Sequence, residues 1–200
     1  LDGKIATKAG DSKWISSEKT RAYTRSLRDG YDAILVGIGT VLADNPVLSG
    51  VKRNPKRIIV DSSLRISAGA KVLRDSNVIV VTTEKSSPLK RESLRKKGIT
   101  IHVMKKIEIS PLLRFLGKQG ISSIFVEGGA EIFGSFVDAK KIDKLHWIIA
   151  PKIIGGRNAK SAVGGLGITR ITQAVNLENL ELTRIENDLF ITAWPVFDAR

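Results

Sequence analysis

The sequence predicts an α/β fold in which helices flank a central, mostly parallel sheet. From the middle of the chain onward, short apolar runs rich in valine and isoleucine alternate with amphipathic runs of helical period. Several apolar runs also end in glycines or small polar residues that lead directly into a helix. With 200 residues, of which 42% are hydrophobic and 26% charged, the chain can bury a core. We therefore expect residues 1–200 to form a single domain.

Seven segments are expected to be strands, because each is short, apolar and enriched in β-branched residues. They are residues 32–36, 57–61, 77–82, 99–103, 123–127, 145–150 and 189–194.

A helix is expected from Ser16 or Ser17 to about Arg28, since a serine hydroxyl can cap its first turn and Glu18 faces the positive end of its dipole. Three later helices are expected. The first begins at Ser87 with Pro88 and ends at Gly98, the second begins at Ser110 with Pro111, and the third begins at Gly129.

The charge predicts a partner that carries phosphate. Lysine and arginine number 33 against 20 acidic residues, a formal net charge of +13, which concentrates anions around the protein. This charge is compatible with three situations: a phosphorylated substrate together with a phosphorylated cofactor, a nucleic acid, or a lysine-rich surface that is only solvated.

The absence of cysteine excludes disulfides and thiolate chemistry, and it fits a reducing, cytoplasmic location. The two histidines lie in apolar, strand-like runs, so a metal site is not expected. No apolar run reaches the length of a membrane span, and no signal peptide is expected. The chain begins with Leu1 rather than methionine, so an earlier natural start is expected.

The first candidate motif, GIGTVLADNP over residues 37–46, directly follows a strand. It begins like a dinucleotide-binding fingerprint but lacks the third glycine, so it does not support a Rossmann site. It retains a glycine turn, the Thr40 hydroxyl and, one helical turn later on the same face, the Asp44 carboxylate. A ligand site and an ordinary turn ended by Asp44, Asn45 and Pro46 are equally compatible with this spacing.

The second motif, IFVEGGAE over residues 124–131, is an apolar strand that ends in Glu127 and two glycines. Paired glycines expose backbone amides at the positive end of the following helix, which suits a pyrophosphate. Ligands also bind at strand ends in open α/β sheets, so Glu127 is expected to face a ligand. The alternative is a tight turn without a ligand.

The third motif, RIIVDSSLR over residues 57–65, is a strand that ends in two hydroxyls followed by an arginine. These groups can bind the 2′-phosphate that distinguishes NADP from NAD, although the same residues are common in turns. The segments LDGKIAT and SKWIS near the amino terminus place a lysine, hydroxyls and a tryptophan before the first helix, and without context they indicate a loop.

In this order the motifs LDGKIAT, SKWIS, DAILVGIGTVLADNP, RIIVDSSLR, VEGG and APKIIGG resemble the reductases of riboflavin biosynthesis over nearly the whole chain. The resemblance implies a dihydrofolate-reductase-like fold, NADPH as cofactor, and a homodimer. It also implies an oxidoreductase that reduces the ribosyl group of a pyrimidine ribosylamine 5′-phosphate to ribityl. The family's first strand is expected to precede residue 1.

No attached deaminase domain is expected, so the resemblance is nearer to the stand-alone archaeal and fungal members, which implies the 2,5-diamino substrate before deamination. The alternatives are the deaminated 5-amino-6-(5-phosphoribosylamino)uracil, or a dihydrofolate or pterin reductase of the same fold. A basic nucleic-acid-binding protein is the alternative from another class. Against it, aromatic residues are only 6% and do not interleave with basic ones.

The resemblance assigns substrate contacts to Lys4, Ser12, Arg28, Asp44 and Glu127, with Ser12 and Arg28 on the 5′-phosphate. It assigns cofactor contacts to Thr40, Asp44, Ser62, Ser63, Leu64, Arg65, Gly128, Gly129, Ala130 and Glu131. Members usually carry a basic residue just after the leucine of DNPxL, whereas here the first basic residues after Leu48 are Lys52 and Arg53.

The reaction expected from this resemblance is hydride transfer to the anomeric carbon of a ring-opened imine. The catalytic residues are expected to be Asp44, which assists proton movement as the sugar opens, with Lys4 and Glu127 orienting the substrate.

Overall fold

The alternation of apolar and amphipathic runs produces ten strands and five α-helices in residues 1–197, the part of the chain that the computed structural model describes. In chain order they are β1 (Lys4–Ala6), α1 (Glu18–Leu27), β2 (Ala33–Gly37), α2 (Ile38–Asp44), β3 (Lys56–Val60), β4 (Val78–Thr83), α3 (Pro88–Lys96), β5 (Thr100–Met104), α4 (Ile109–Lys118), β6 (Ile124–Val126), α5 (Ala130–Asp138), β7 (Leu145–Ile149), β8 (Lys160–Ser161), β9 (Asn176–Ile185) and β10 (Asp188–Val196). The chain forms two compact units, one of residues 25–132 and one of residues 1–24 with 133–197.

Residues 25–132 contain a five-stranded sheet in the order β5-β4-β3-β2-β6, and every pairing in it is parallel. Four consecutive residues of β2, Ala33 to Val36, are completely buried, and all six residues of β4 are buried. Consecutive burial means that both faces of these strands are covered, which explains why they are continuous apolar runs rather than alternating ones. The core of this unit, with Ile34, Ile59 and Val80 among its residues, therefore lies on the sheet. This confirms the expected parallel sheet.

The helix ends mostly follow the capping residues. Ser17 accepts the amide of Thr20 (3.2 Å), and α1 begins at Glu18. Ser87 accepts the amide of Lys90 in the same way at the start of α3. The expected start at Ser110 is wrong: α4 begins at Ile109, and Ser110 and Pro111 lie in its first turn. A proline is accepted there because first-turn amides have no partner within the helix.

Residues 1–24 and 133–197 contain two antiparallel sheets, a pair β1-β8 and a three-stranded sheet β7-β10-β9. The strands expected at residues 145–150 and 189–194 are β7 and β10, but they pair with each other antiparallel and take no part in the parallel sheet. The sequence did not indicate β9, whose residues are nearly all exposed and largely polar. It joins β10 through a tight turn at Glu186, whose φ of 56° is left-handed.

No helix within residues 1–197 combines the length and the apolar character that crossing a membrane requires.

Asp32, just before β2, ties the start of that strand to the start of β6. Its Oδ2 accepts four hydrogen bonds at 2.6–3.0 Å, from the hydroxyls and the amides of Ser122 and Ser123. The hydrogen bond from the Ser122 hydroxyl contributes most, and together these bonds lower the pKa of Asp32 from 3.8 to about 2.

A lowered carboxyl pKa stabilises the fold above the unfolded-state value and loses that contribution as the pH falls towards the folded-state value. The free energy of unfolding should therefore fall more between pH 5 and pH 2 in the parent protein than in Asp32→Asn, as measured by urea titration at each pH. Glu92→Gln, on the exposed surface of α3, should behave as the parent. An equal fall in the parent and in Asp32→Asn would contradict this role.

Candidate functional site

The candidate site is the carboxyl edge of the parallel sheet, between the ends of β2 and β6. From β2 the chain passes outward through β3, β4 and β5, whereas β6 lies on the opposite side of β2. The connections that leave β2 and β6 therefore diverge, and open α/β sheets bind ligands at such a switch point, outside the carboxyl ends of the strands. Here it is bordered by the turn that enters α2 and by residues 127–129, which enter α5.

The glycine pair at the end of β6 allows a close backbone approach. Gly128 and Gly129 have φ values of 68° and 93°, a region that favours glycine. A Cβ on Gly128 would lie 2.9 Å from Oγ1 and 3.2 Å from Cγ2 of Thr40. The turn thus passes directly against the first turn of α2, and the structure brings together three of the expected cofactor residues.

The same turn leads into α5, whose first-turn residues include Ala130 and Glu131. First-turn amides point out of the amino-terminal end of a helix and, with the helix dipole, favour an anion. The Glu127 amide itself donates to the Leu35 carbonyl of β2 (2.9 Å), which fixes the turn to the sheet. Bare backbone at a fixed helix end, with no room for a Cβ at Gly128, fits the pyrophosphate of a dinucleotide cofactor.

Arg28 and Glu127 form a bidentate ion pair at this edge. Nε of Arg28 lies 2.6 Å from Oε1 of Glu127, and Nη2 lies 2.7 Å from Oε2. Nη1 of Arg28 also donates to the carbonyl of Ser49 (2.8 Å). Both charged side chains are mostly buried, with exposed fractions of 17% and 18%. A bidentate arginine–carboxylate pair of this kind holds both groups in one orientation.

Asp44 is the last residue of α2. The next residue, Asn45, is left-handed (φ 42°), and its side-chain Oδ1 accepts the amide of Lys71 (2.9 Å). The helix therefore ends where the expected stop signal places it. Thr40 and Asp44 are four residues apart on α2, so they share a face of that helix. Asp44 is exposed.

The turn at residues 62–65 carries three exposed polar side chains and one buried apolar side chain. Ser62, Ser63 and Arg65 are exposed, whereas Leu64 is only 1% exposed. Leu64 has a left-handed φ of 54° and packs in the core beside the sheet. Its side chain therefore points away from solvent, so its expected cofactor contact depends on its backbone.

Lys4 and Ser12 belong to the other unit. Lys4 lies in β1, and its Nζ donates to the Ser161 hydroxyl of β8 (3.4 Å). Ser12 is half-buried in the loop that precedes α1. In that loop Trp14 is 62% exposed, and the guanidinium of Arg21 lies 4.2 Å from the centre of its ring.

Asp29 holds the loop that carries Lys52 and Arg53, the first basic residues after Leu48. The Asp29 carboxylate accepts the backbone amides of Val51, Lys52 and Arg53 at 3.0–3.3 Å. Three converging amides form a site that would otherwise suit an anion, and here an internal carboxylate fills it. Lys52 and Arg53 have exposed side chains.

Within residues 1–197 no group of three histidine, cysteine, aspartate or glutamate side chains is arranged to hold a metal ion.

Residues 1–191 match the family described as the RibD C-terminal domain. The chain is 39% identical over 203 residues to the riboflavin biosynthesis protein RibD of Bacillus amyloliquefaciens, covering 98% of this chain and 55% of that protein. It is 36% identical over 200 residues to the 2,5-diamino-6-ribosylamino-4(3H)-pyrimidinone 5′-phosphate reductase of Methanothermobacter thermautotrophicus, covering 96% of this chain and 92% of that protein. The chain spans about half the length of RibD proteins such as that of Bacillus.

Among solved structures, form 1 of Acinetobacter baumannii RibD superposes with a TM-score of 0.85 at 26% identity, covering 98% of this chain and 56% of that one. The riboflavin biosynthesis reductase of Saccharomyces cerevisiae superposes with a TM-score of 0.73 at 24% identity, covering 98% and 85%. These similarities confirm the dihydrofolate-reductase-like α/β fold.

The close approach at the glycine pair can be tested by stability. Gly128→Ala should destabilise the protein by about 1–3 kcal/mol, because a non-glycine residue is strained at positive φ and its Cβ meets Thr40. In a Thr40→Ala background the same substitution should cost less, since both atoms closest to that Cβ are gone. Urea unfolding of the four proteins measures the difference.

Gly117→Ala is the matched control, because a Cβ there meets nothing within 4 Å inside α4. This variant should be as stable as the parent or slightly more stable. A Gly128→Ala protein with parental stability would show that the turn is not tightly packed.

Proposed function

Because the chain belongs to the RibD C-terminal domain family, we propose that it is an oxidoreductase of riboflavin biosynthesis, which reduces the ribosyl group of a pyrimidine ribosylamine 5′-phosphate to ribityl. The observation that carries the proposal is the meeting of Thr40, the glycine pair and the Arg28–Glu127 ion pair at the switch point of the sheet. This edge offers bare backbone for a pyrophosphate beside charged groups for a polar substrate.

The proposed substrate is the 2,5-diamino compound before deamination. The Methanothermobacter relative and one from Archaeoglobus fulgidus, which is 31% identical to this chain, carry that compound in their names, and the chain covers 92% and 89% of these two proteins. The longer RibD proteins are matched over only about half their length.

The proposed cofactor is NADPH. Gly128, Gly129 and the first turn of α5 would hold its pyrophosphate, with Thr40 and Asp44 on the opposite side. Ser62, Ser63 and Arg65 would bind the 2′-phosphate, because two hydroxyls and a guanidinium are exposed together on one turn. NADH has no group that could use them.

When bound, NADPH supplies a hydride to the anomeric carbon of the ring-opened sugar. The chain's own residues orient the substrate and move a proton. Within residues 1–197, three of the five guanidinium N–H groups of Arg28 make the hydrogen bonds described above, and the other two can donate to an oxygen of the 5′-phosphate. Its ion pair holds Glu127 in place to orient the substrate. Ser12 and Lys4 are proposed to contact the phosphate and the pyrimidine or sugar.

Asp44 is proposed to assist proton movement as the sugar opens. A carboxylate at the carboxyl end of a helix is disfavoured by the helix dipole, so capping α2 does not explain a negative charge at this position. The group is exposed at the edge where the substrate is proposed to bind, as proton exchange requires.

We further propose that two copies associate through the three-stranded sheet. In that sheet β9 is an edge strand, and its Leu177, Leu180 and Leu182 have exposed fractions of 40%, 62% and 63%. Within residues 1–197 this edge pairs with no further strand, and an exposed edge that bears leucines favours association with a second copy. A two-fold interface is self-complementary.

Light scattering at micromolar concentration should therefore give twice the mass of the chain. Leu182→Lys should shift the protein towards the monomer, because it would bury a charge in the contact. Glu92→Gln, in the other unit, should remain dimeric. A parent protein that is monomeric under these conditions would contradict the proposal.

The reaction itself is tested by following NADPH absorbance with the diamino and the deaminated substrates side by side. The diamino substrate should be consumed with the higher kcat/KM, and dihydrofolate should not be reduced. Preference for the deaminated compound would assign the chain to the later step. Salt-sensitive binding of random DNA without NADPH turnover would instead indicate a nucleic-acid-binding protein.

Asp44→Asn separates chemistry from helix termination. Asparagine also tolerates the end of a helix and keeps a polar side chain of the same size towards the cofactor, so melting temperature and NADPH affinity should stay close to those of the parent. Turnover should fall by about 10² to 10⁴, the usual contribution of a positioned proton-transfer group. Near-parental turnover would mean that the carboxylate that assists proton transfer is Glu127, or that the reaction needs no such carboxylate.

A further inference from the structure

Asp61 is a completely buried carboxylate at the carboxyl end of β3 that the proposed reaction does not use. Its Oδ2 accepts the backbone amide of Ile66 (2.8 Å). Its Oδ1 is buried without a hydrogen-bond partner in residues 1–197. Burying a carboxyl oxygen without a hydrogen-bond partner costs folding free energy, and such groups in native proteins require an explanation.

The Asp61–Ile66 bond closes the backbone around the turn at residues 62–65. The exposed fractions alternate along this stretch: Asp61, Leu64 and Ile66 are buried, whereas Ser62, Ser63 and Arg65 are exposed. The Leu64 amide also donates a hydrogen bond to the Asp61 carbonyl (3.1 Å). Each of the three exposed side chains is therefore attached to backbone that is anchored on both sides.

The neighbouring strand fixes the other side of the same turn. The Ser62 carbonyl accepts the Thr83 amide (3.1 Å), the Thr83 hydroxyl (2.8 Å) and the Thr82 hydroxyl (3.2 Å). Both threonines are buried at the end of β4. The turn is thus held by buried polar groups from two adjacent strands at the carboxyl edge of the sheet.

We propose that Asp61 is the positioning residue that holds the Ser62, Ser63 and Arg65 side chains ready for the cofactor's 2′-phosphate, and that it thereby sets the preference for NADPH over NADH. This inference rests on the proposed function of the same edge. Fixing the backbone in advance reduces the ordering cost of binding, and charge-assisted hydrogen bonds depend strongly on geometry. A loosened turn would penalise NADPH alone, because NADH makes no contact through a 2′-phosphate.

The test measures KM and kcat with NADPH and with NADH for the parent, Asp61→Ala and Asp61→Asn. In Asp61→Ala the KM for NADPH should rise by about tenfold or more, with kcat and the KM for NADH within about twofold of the parent. Asp61→Asn keeps an oxygen for the Ile66 amide and should recover most of the loss. A merely structural role would not produce this split between the two cofactors.

Thr83→Val weakens the same turn from the side of β4. It therefore still tests the proposal if Asp61→Ala does not fold. Losing the Thr83 hydroxyl removes one bond to the Ser62 carbonyl, so the ratio of the two KM values should change in the same direction. The control is Asp32→Ala, which removes a carboxylate with four hydrogen bonds at the opposite edge of the same sheet. It should lower the melting temperature without changing the ratio.

The failure of this inference differs from the failure of the proposed function. If the parent turns over NADH as well as NADPH, and Arg65→Ala changes nothing, the turn does not bind a 2′-phosphate and both proposals about it are wrong. If the parent prefers NADPH and Arg65→Ala narrows that preference, but Asp61→Ala, Asp61→Asn and Thr83→Val leave it unchanged or raise both KM values equally, only the role of Asp61 is overturned.

Discussion

The parallel pairing of β2 with β3 on one side and β6 on the other is the constraint on which the candidate site depends. Parallel strands bring their carboxyl ends to one edge, so residues that are nearly a hundred positions apart in the sequence become neighbours there. The close approach of Thr40 and Gly128 arises in this way, because Thr40 follows the end of β2 and Gly128 follows the end of β6. A shift of β6 by one residue would turn its side chains to the other face of the sheet and remove Gly128 from Thr40.

Burial enforces this register. β2 is covered on both faces, and Ile34, Leu35 and Val36 are completely buried. The polar groups at its amino end, Asp32 with Ser122 and Ser123, add a directional contact that apolar packing lacks. The core therefore supplies most of the stability, and a few hydrogen bonds at the strand ends select one alignment.

Much of this was accessible from the sequence because the signals are local. All five strands of the parallel sheet were indicated within one or two residues, since each is a continuous apolar run between breakers. The starts of α1, α3 and α5 followed from Ser17, Ser87 and Gly129, which act on backbone groups only a few positions away. The ordered motifs also gave the family, which the match over residues 1–191 confirms.

The rest depends on contacts between distant residues or on atypical composition. β9 was missed because its leucines alternate with glutamates and asparagines on an exposed strand, which resembles a polar loop. The pairing of Arg28 with Glu127 carries no local signal at all. Leu64 was expected at the cofactor from the family resemblance, which does not show that its side chain is buried in the core after a left-handed turn.

The alternation of anchors and displayed side chains at residues 61–66 separates two tasks within six positions. The buried residues, Asp61, Leu64 and Ile66, determine the path of the backbone. The exposed residues, Ser62, Ser63 and Arg65, determine which chemical groups the turn presents at the surface. Substitutions at the three displayed positions leave the anchors intact, so the chemistry presented by this turn can diverge among descendants of the protein while its shape is inherited unchanged. Evolution can therefore vary recognition here without first having to repair the fold.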